Sequence, residues 1–264
     1  MSSDLPLVTI VTPSYNQAQY LEATIQSVLN QNYPNLEYII IDGGSADGSQ
    51  EIIEKYADKL AYWVSERDQG QTDAINKGFA QANGQVLAWL NSDDTYEPFA
   101  VTKAVEVLQN NPDVGLVYGD ANYIDAQGRE IGHFPARLTN YAKLRQGYVH
   151  LPQQSAFWRA SLWDEVGPLD PSFYFAMDYD LWVRLAKIST LHYIPQVWAN
   201  FRIHGDSKTI LDDDRCWPEM IRVHNREGGK KNSLIMAKYM IRKTFPWLVV
   251  LRRKLRLHPA KENN

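Results

Sequence analysis

The sequence predicts one large α/β domain with a mainly parallel sheet flanked by helices, followed by a basic helical extension. Three observations predict it. Strand-like apolar runs alternate with helical periodicities through residues 7–119, polar clusters follow three of the predicted strands directly, and the charge balance reverses near residue 228.

Residues 7–12 form an apolar, β-branched run and read as a buried strand. Leu21, Ile25, Val28 and Leu29 then recur at helical spacing until Pro34 closes the segment. The same pair repeats as strand 36–42 with helix 49–56, strand 61–65 with helix 71–81, and strand 86–90 with helix 98–109, before a strand over 114–119. Alternation of this kind argues for parallel strands with helices on both faces, which puts ligands at the strand C-termini. The second half is less regular. It holds a hairpin around Asp125-Ala126-Gln127-Gly128, a helix near 139–146, a strand-like stretch at 153–158, a helix at 178–187 and a strand at 198–203. No internal repeat or low-complexity segment interrupts it.

With 264 residues, 44% of them hydrophobic, the chain can bury a substantial core. Cys216 is the single cysteine and has no partner for an internal disulfide, and Met1-Ser2-Ser3-Asp4 lacks the basic-then-apolar opening of a secretory signal. A reducing cytoplasm is the expected setting. No apolar stretch approaches the roughly 20 residues of a spanning helix. Residues 228–264 carry ten Lys and Arg against one acid, so the tail is about +9 and the preceding body about −13. In that tail Leu234, Ile235, Met236, Tyr239 and Met240, then Trp247, Leu248, Val249, Leu251 and Leu255, alternate with basic residues, as in helices lying on an anionic membrane surface. The competing reading is a helix packed on the domain. Nothing but this tail favours nucleic acid, and no nucleic-acid partner is expected.

Three polar clusters fall at strand ends: Thr12-Pro13-Ser14-Tyr15-Asn16, Asp42-Gly43-Gly44-Ser45 and Asn91-Ser92-Asp93-Asp94. Adjacent carboxylates at such an edge suit a divalent cation carrying a diphosphate, although Ser-Asp-Asp is also ordinary turn and cap chemistry. The first strand lacks both a glycine-rich phosphate loop and a dinucleotide glycine fingerprint, which argues against a pyrophosphorylase and against an oxidoreductase.

Taken in order, these clusters, with Phe175-Ala176-Met177-Asp178-Tyr179-Asp180-Leu181-Trp182 and Phe201-Arg202-Ile203-His204, resemble the family-2 inverting glycosyltransferases of GT-A fold over residues 5–210. The resemblance implies a GT-A domain over 1–210, with a nucleotide half to about 120 and an acceptor half beyond it, and a helical basic extension over 211–264. It implies transfer of a sugar from a UDP- or dTDP-linked donor to a hydroxyl of a glycan or lipid-linked acceptor, with Mn2+ or Mg2+ as cofactor. Position by position it gives Thr12, Pro13 and Tyr15 to the nucleotide pocket, Asp42 to the base, Asp68 and Asp93 to ribose or sugar, Asp94 and His204 to the cation, and Gln154 and Trp158 to the acceptor wall. Asp178 takes the place of the catalytic base. In an inverting displacement one carboxylate removes the acceptor hydroxyl proton during attack opposite the leaving diphosphate.

Some residues keep a second reading. Asp42 can serve its own turn, Asp73 can be a first-turn helix acid, Asp178 can cap its helix and Trp158 can be core. Residues 178 and 180 lie about 200° apart on a helix, so Asp180 reads as structural. Met177 and Ile75 stand where many relatives carry Glu and Arg. Those departures motivate an alternative, a degenerate glycosyltransferase-like protein that binds nucleotide or glycan without transfer.

Overall fold

A computed structural model describes residues 5–134, 136–205, 207 and 213–244. The predicted alternation is present: β1 (Val8–Ser14), α1 (Ala18–Leu29), β2 (Leu36–Asp42), α2 (Ser49–Lys55), β3 (Tyr62–Ser65), α3 (Gln71–Phe79), β4 (Val86–Trp89), β5 (Thr95–Tyr96) and α4 (Ala100–Asn110). There follow β6 (Val114–Ile124), β7 (Glu130–Phe134), α5 (Tyr141–Leu144), a 3-10 turn at Gln153–Ser155, β8 (Ala156–Arg159), α6 (Ala160–Val166), α7 (Met177–Ile188) and β9 (Thr190–Arg202). Two further helices are α8 (Asp213–Arg226) and α9 (Leu234–Thr244).

The strands form one sheet in the order β3-β2-β1-β4-β8-β6-β9-β5, with β7 on β6. The chain runs outward from β1 to β3 and returns as β4 on the other side of β1. The order therefore reverses between β1 and β4, where open α/β sheets place their ligands. Strands β1 to β4 are parallel, with Ser14, Asp42 and Ser65 in register at their C-terminal ends. Beyond β4 the sheet is mixed: β8 is antiparallel to β4 and β6, β7 to β6 and β5 to β9, while β6 and β9 are parallel. The short turn after Ile124 can join only antiparallel neighbours, because a parallel return needs a crossover of a dozen or more residues.

Strand pleating sends alternate residues to two cores. Ile10, Tyr38, Ile40 and Ala88 face α1 and α4, whereas Val11, Ile39, Ile41 and Trp89 face α3 and α7. On the second face Trp89 stacks on Trp182 at 5.6 Å and 9°, and both meet Trp158 edge-on.

Several predicted elements differ in extent. The strand expected to end at 119 continues to Ile124, and that expected from 198 begins at Thr190, because each pairs with the other along its length. The helix expected over 139–146 is the single turn α5, started by Asn140, whose side chain accepts from the Lys143 N–H. The stretch 153–158 is a 3-10 turn followed by β8. Two elements absent from the sequence reading, β5 and α6, are two and seven residues long and carry little periodicity of their own. Val223 of α8 is fully buried in the α7 core, and Ile235 of α9 is 3% exposed, so the described part of the predicted extension packs on the domain. Trp247, Leu248, Val249, Leu251 and Leu255 lie outside the described residues. Among the described residues no helix is long and apolar enough to cross a membrane.

Candidate active site

The loops after β1 and β2 are laced together. Asn16, left-handed at φ 50°, donates its N–H to Ser45 Oγ at 2.8 Å, and its Oδ1 accepts from the Ala46 N–H at 3.0 Å. Asp42 is fully buried. Its Oδ2 accepts from the N–H groups of Gly44 (3.1 Å) and Ser45 (2.9 Å) and from the Ser65 hydroxyl (2.7 Å). Its Oδ1 accepts from the Ser45 hydroxyl alone, at 2.6 Å, so one lone pair is left there. Thr12 and Pro13 are buried, and the Thr12 hydroxyl lies 3.0 Å from Tyr38 OH. Tyr15 is 61% exposed. A Cβ on Gly43 would stand 2.6 Å from Asp68 Oδ2 and 3.1 Å from Tyr15 Cδ2, so the missing side chain lets Tyr15 and Asp68 close onto the Gly43 backbone.

The two adjacent acids after β4 point in different directions. Asp94 is fully buried, its Oδ1 accepting from the Arg202 N–H at 2.9 Å and its Oδ2 from the Asn91 amide at 3.3 Å. Burial, then the neighbouring Asp93 charge, push its pKa well above the ordinary carboxylate range. Asp93 Oδ2 lies 3.1 Å from His204 Nε2. The His204 ring rests on Tyr20 at 4.6 Å, and its buried Nδ1 makes no hydrogen bond among the described residues. No three His, Cys, Asp or Glu side chains converge among the described residues. Two protein donors nevertheless suit Mn2+ or Mg2+ beside a diphosphate, since Mg2+ commonly takes one or two carboxylates and fills its other positions with phosphate oxygens and water.

Asp178 sits in the first turn of α7, its Oδ1 accepting from the Tyr179 N–H at 2.6 Å and, among the described residues, no cation pairing with it. Burial raises its pKa to about 6, with a smaller push from Glu219. The Glu219 carboxylate reaches across from α8 to accept three consecutive backbone N–H groups, of Tyr174, Phe175 and Ala176, at 2.8–2.9 Å. Asp180 faces the other way. It is 1% exposed and held by Arg184 at 2.9 Å and by Arg226 of α8, which makes it a structural acid.

The first turn of α3 joins the acid loop to α7. Gln71 donates to Asn91 Oδ1 at 2.7 Å, while the Thr72 hydroxyl contacts Met177 Sδ at 3.0 Å. Gln153 adds bonds to Asn91 (3.2 Å) and to the Trp89 carbonyl (2.7 Å).

Other expected residues stand elsewhere. Trp158 is fully buried among aromatic rings and cannot form an acceptor wall, because its whole surface is spent on Phe79, Trp89, Trp163 and Trp182. Gln154 is 5% exposed, which leaves it little surface for an acceptor. Asp73 accepts from the Gln69 N–H at 3.0 Å and lies 3.4 Å from Lys77, as a helix-terminal acid does. Ile75 is fully buried. Glu219 escaped the sequence reading: it is 41 residues beyond Asp178 with no local pattern linking them.

An open sheet with its acid loop at the strand reversal, and α7 held against it through the first turn of α3, is the architecture of a GT-A glycosyltransferase. The chain resembles Staphylococcus aureus TarS in complex with UDP-GlcNAc, with a TM-score of 0.69 at 15% identity over 91% of this chain and 73% of that one. It also resembles the mannosyltransferase PcManGT of Pyrobaculum calidifontis in complex with GDP-Man and Mn2+, with a TM-score of 0.67 at 19% identity over 98% and 77%. Residues 9–164 match the model of glycosyl transferase family 2, and the chain belongs to that family. An uncharacterized glycosyltransferase of Rickettsia typhi is 30% identical over 77% of this chain and 66% of its own length, and one of Mycobacterium tuberculosis is 34% identical over 69% and 70%. The chain spans as little as 33% of the length of other Rickettsia relatives.

Proposed function

We propose that the chain transfers a sugar from a UDP- or dTDP-linked donor to a hydroxyl of a glycan or lipid-linked acceptor, with inversion at the anomeric carbon and with Mn2+ or Mg2+. The observation that carries this is Asp178, an acid without a cationic partner among the described residues, held beside the turn of α3 that also grips the acid loop.

In a direct displacement the acceptor oxygen bonds to the anomeric carbon as the bond from that carbon to the diphosphate oxygen breaks. The electron pair leaves with the diphosphate, and the hydroxyl proton goes to Asp178. A carboxyl with a pKa of about 6 is ionised at neutral pH and is still a better proton acceptor than an ordinary aspartate. Asp93 and His204 would hold the cation, which supplies positive charge to the departing diphosphate. The cation is thus assigned to Asp93 and not, as first expected, to Asp94. Asp94, turned inward, fixes the Arg202 backbone and so sets the position of His204 two residues on.

Tyr15 and Asp68 close onto Gly43 beside the Asp42 loop and are assigned to the base and to ribose or sugar. Asp42 organises the adjoining loop and keeps one Oδ1 lone pair for a uracil or thymine ring N–H. Thr12 and Pro13 support this pocket from beneath.

Replacing Asp178 by Asn tests the reading: turnover should fall about 10²- to 10⁴-fold with UDP binding retained. Recognition without transfer has Met177 and the buried Ile75 in its favour; UDP binding with Mn2+, without product or donor hydrolysis, would select it. A cytoplasmic role in envelope polysaccharide synthesis, with peripheral contact to an anionic membrane, completes the proposal. It is supported by the exposed Met240 and Ile241 beside Lys243 on α9 and by the +9 charge of residues 228–264.

A further inference from the structure

Residues 136–152 lead from β7 to the 3-10 turn, and α5 within them packs on α7. Arg137 donates its backbone N–H to the His150 carbonyl at 3.0 Å, so the two ends of the segment lie side by side. The Lys143 ammonium sits 2.8 Å from the Leu138 carbonyl, next to Arg137. Ile235 packs over Gly147, where an added Cβ would come within 2.2 Å of its Cδ1. Lys238, three residues further along α9, borders a small hollow with Gln146, Gly147 and Tyr148. Burial, followed by the charges of Arg137, Lys238 and Lys143, holds the His150 pKa below the ordinary histidine value. None of the four side chains pairs with a carboxylate among the described residues, on a body whose net charge before residue 228 is about −13.

The segment is tied to the acid loop at one end and to α7 within it. His150 precedes by three residues Gln153, which bonds Asn91 of the acid loop at 3.2 Å, and three residues span at most about 10 Å. On the other side the Leu144 carbonyl accepts from the Tyr179 hydroxyl at 2.6 Å, one residue past Asp178.

We propose that Arg137, Lys143, His150 and Lys238 form an acceptor subsite for a phosphate group, so that the hydroxyl receiving the sugar belongs to a phosphate-bearing acceptor. The proposal rests on the glycosyl-transfer reading above. An arginine fork and two ammonium groups suit phosphate oxygens, either on a soluble polyol phosphate or on a lipid headgroup.

The test uses the full chain in EDTA at constant ionic strength. Glycerol 3-phosphate is titrated while the His150 ring is followed by NMR, and sedimentation compares phosphatidic acid vesicles with phosphatidylserine vesicles of equal surface charge. The expected result is a saturable rise in the His150 pKa with the soluble ester, or selective retention on phosphatidic acid. The first assigns a soluble polyol phosphate and the second a lipid headgroup. Either signal should weaken about tenfold or more in the Arg137→Ala, Lys238→Ala double variant, while UDP binding with Mn2+ is unchanged. Failure of both ligands to engage, or equal engagement by the double variant, overturns the subsite. Intact UDP affinity, measured with Mn2+ and without EDTA on the same proteins, then leaves the transfer reading standing, whereas a parent protein that does not bind UDP counts against that reading itself.

Discussion

His204 Nε2 lies 3.1 Å from Asp93 Oδ2, while the neighbouring Asp94 turns away and accepts from the Arg202 backbone. Of the two adjacent acids, Asp93 is therefore the one proposed to hold the cation. His204→Ala or Asp93→Asn should weaken Mn2+-dependent UDP binding about 10- to 100-fold, at least the cost of disturbing a ligand's supporting shell. Calorimetry with and without Mn2+ checks this. Asp94→Asn should cost less, because the backbone bond can be kept by the amide oxygen.

Asp178 gives a stability prediction with a definite sign. Its folded pKa is raised from 3.8 to about 6, so the fold binds its proton more tightly than the unfolded chain does. That contribution is fully present below about pH 4 and is lost as pH rises through about 6. Asp178→Asn should therefore unfold at a higher temperature than the parent at pH 8, with the difference closing at pH 4. A variant less stable than the parent at pH 8 would show that the carboxylate is stabilised by its surroundings.

The Asp180 clamp behaves oppositely. Its buried carboxylate joins Arg184 of its own helix to Arg226 of α8. Asp180→Ala leaves both guanidinium groups without this partner and should destabilise the chain by about 3 kcal/mol or more in urea unfolding. An effect below about 0.5 kcal/mol would mean that α8 is not anchored there.

Gly43→Ala places a Cβ 2.6 Å from Asp68 Oδ2. Overpacking of about 1–3 kcal/mol, which displaces Asp68 or Tyr15, should lower UDP affinity roughly tenfold or more. Unchanged affinity would place the nucleotide elsewhere.

Glu219 binds three backbone N–H groups just before Asp178. Glu219→Ala should lower turnover more than Glu219→Gln, which keeps an acceptor oxygen, while UDP binding holds in both. Equal turnover in the alanine variant and the parent would remove Glu219 from the positioning of the base.

The nucleotide half was legible because its information is local. Residues such as Ile10, Leu21 and Ile25 repeat at strand or helix spacing, and the polar clusters sit directly after strands that pair in register. Beyond Val114 the decisive contacts are long-range. β6 and β9 extend one another, and Trp158 is drawn into a core of rings from β4 and α7. The division of labour between Asp93 and Asp94 depends on where His204 and the Arg202 N–H arrive, more than a hundred residues later. No spacing rule along the chain encodes that.

The most direct test of the central claim is turnover of the parent and of Asp178→Asn from pH 5 to 9, with UDP affinity measured on the same samples. The account predicts a parent profile that rises with an apparent pKa near 6, and a variant about 10²- to 10⁴-fold slower, without that limb, at unchanged affinity. A variant that turns over within a few-fold of the parent and keeps the same limb would contradict it.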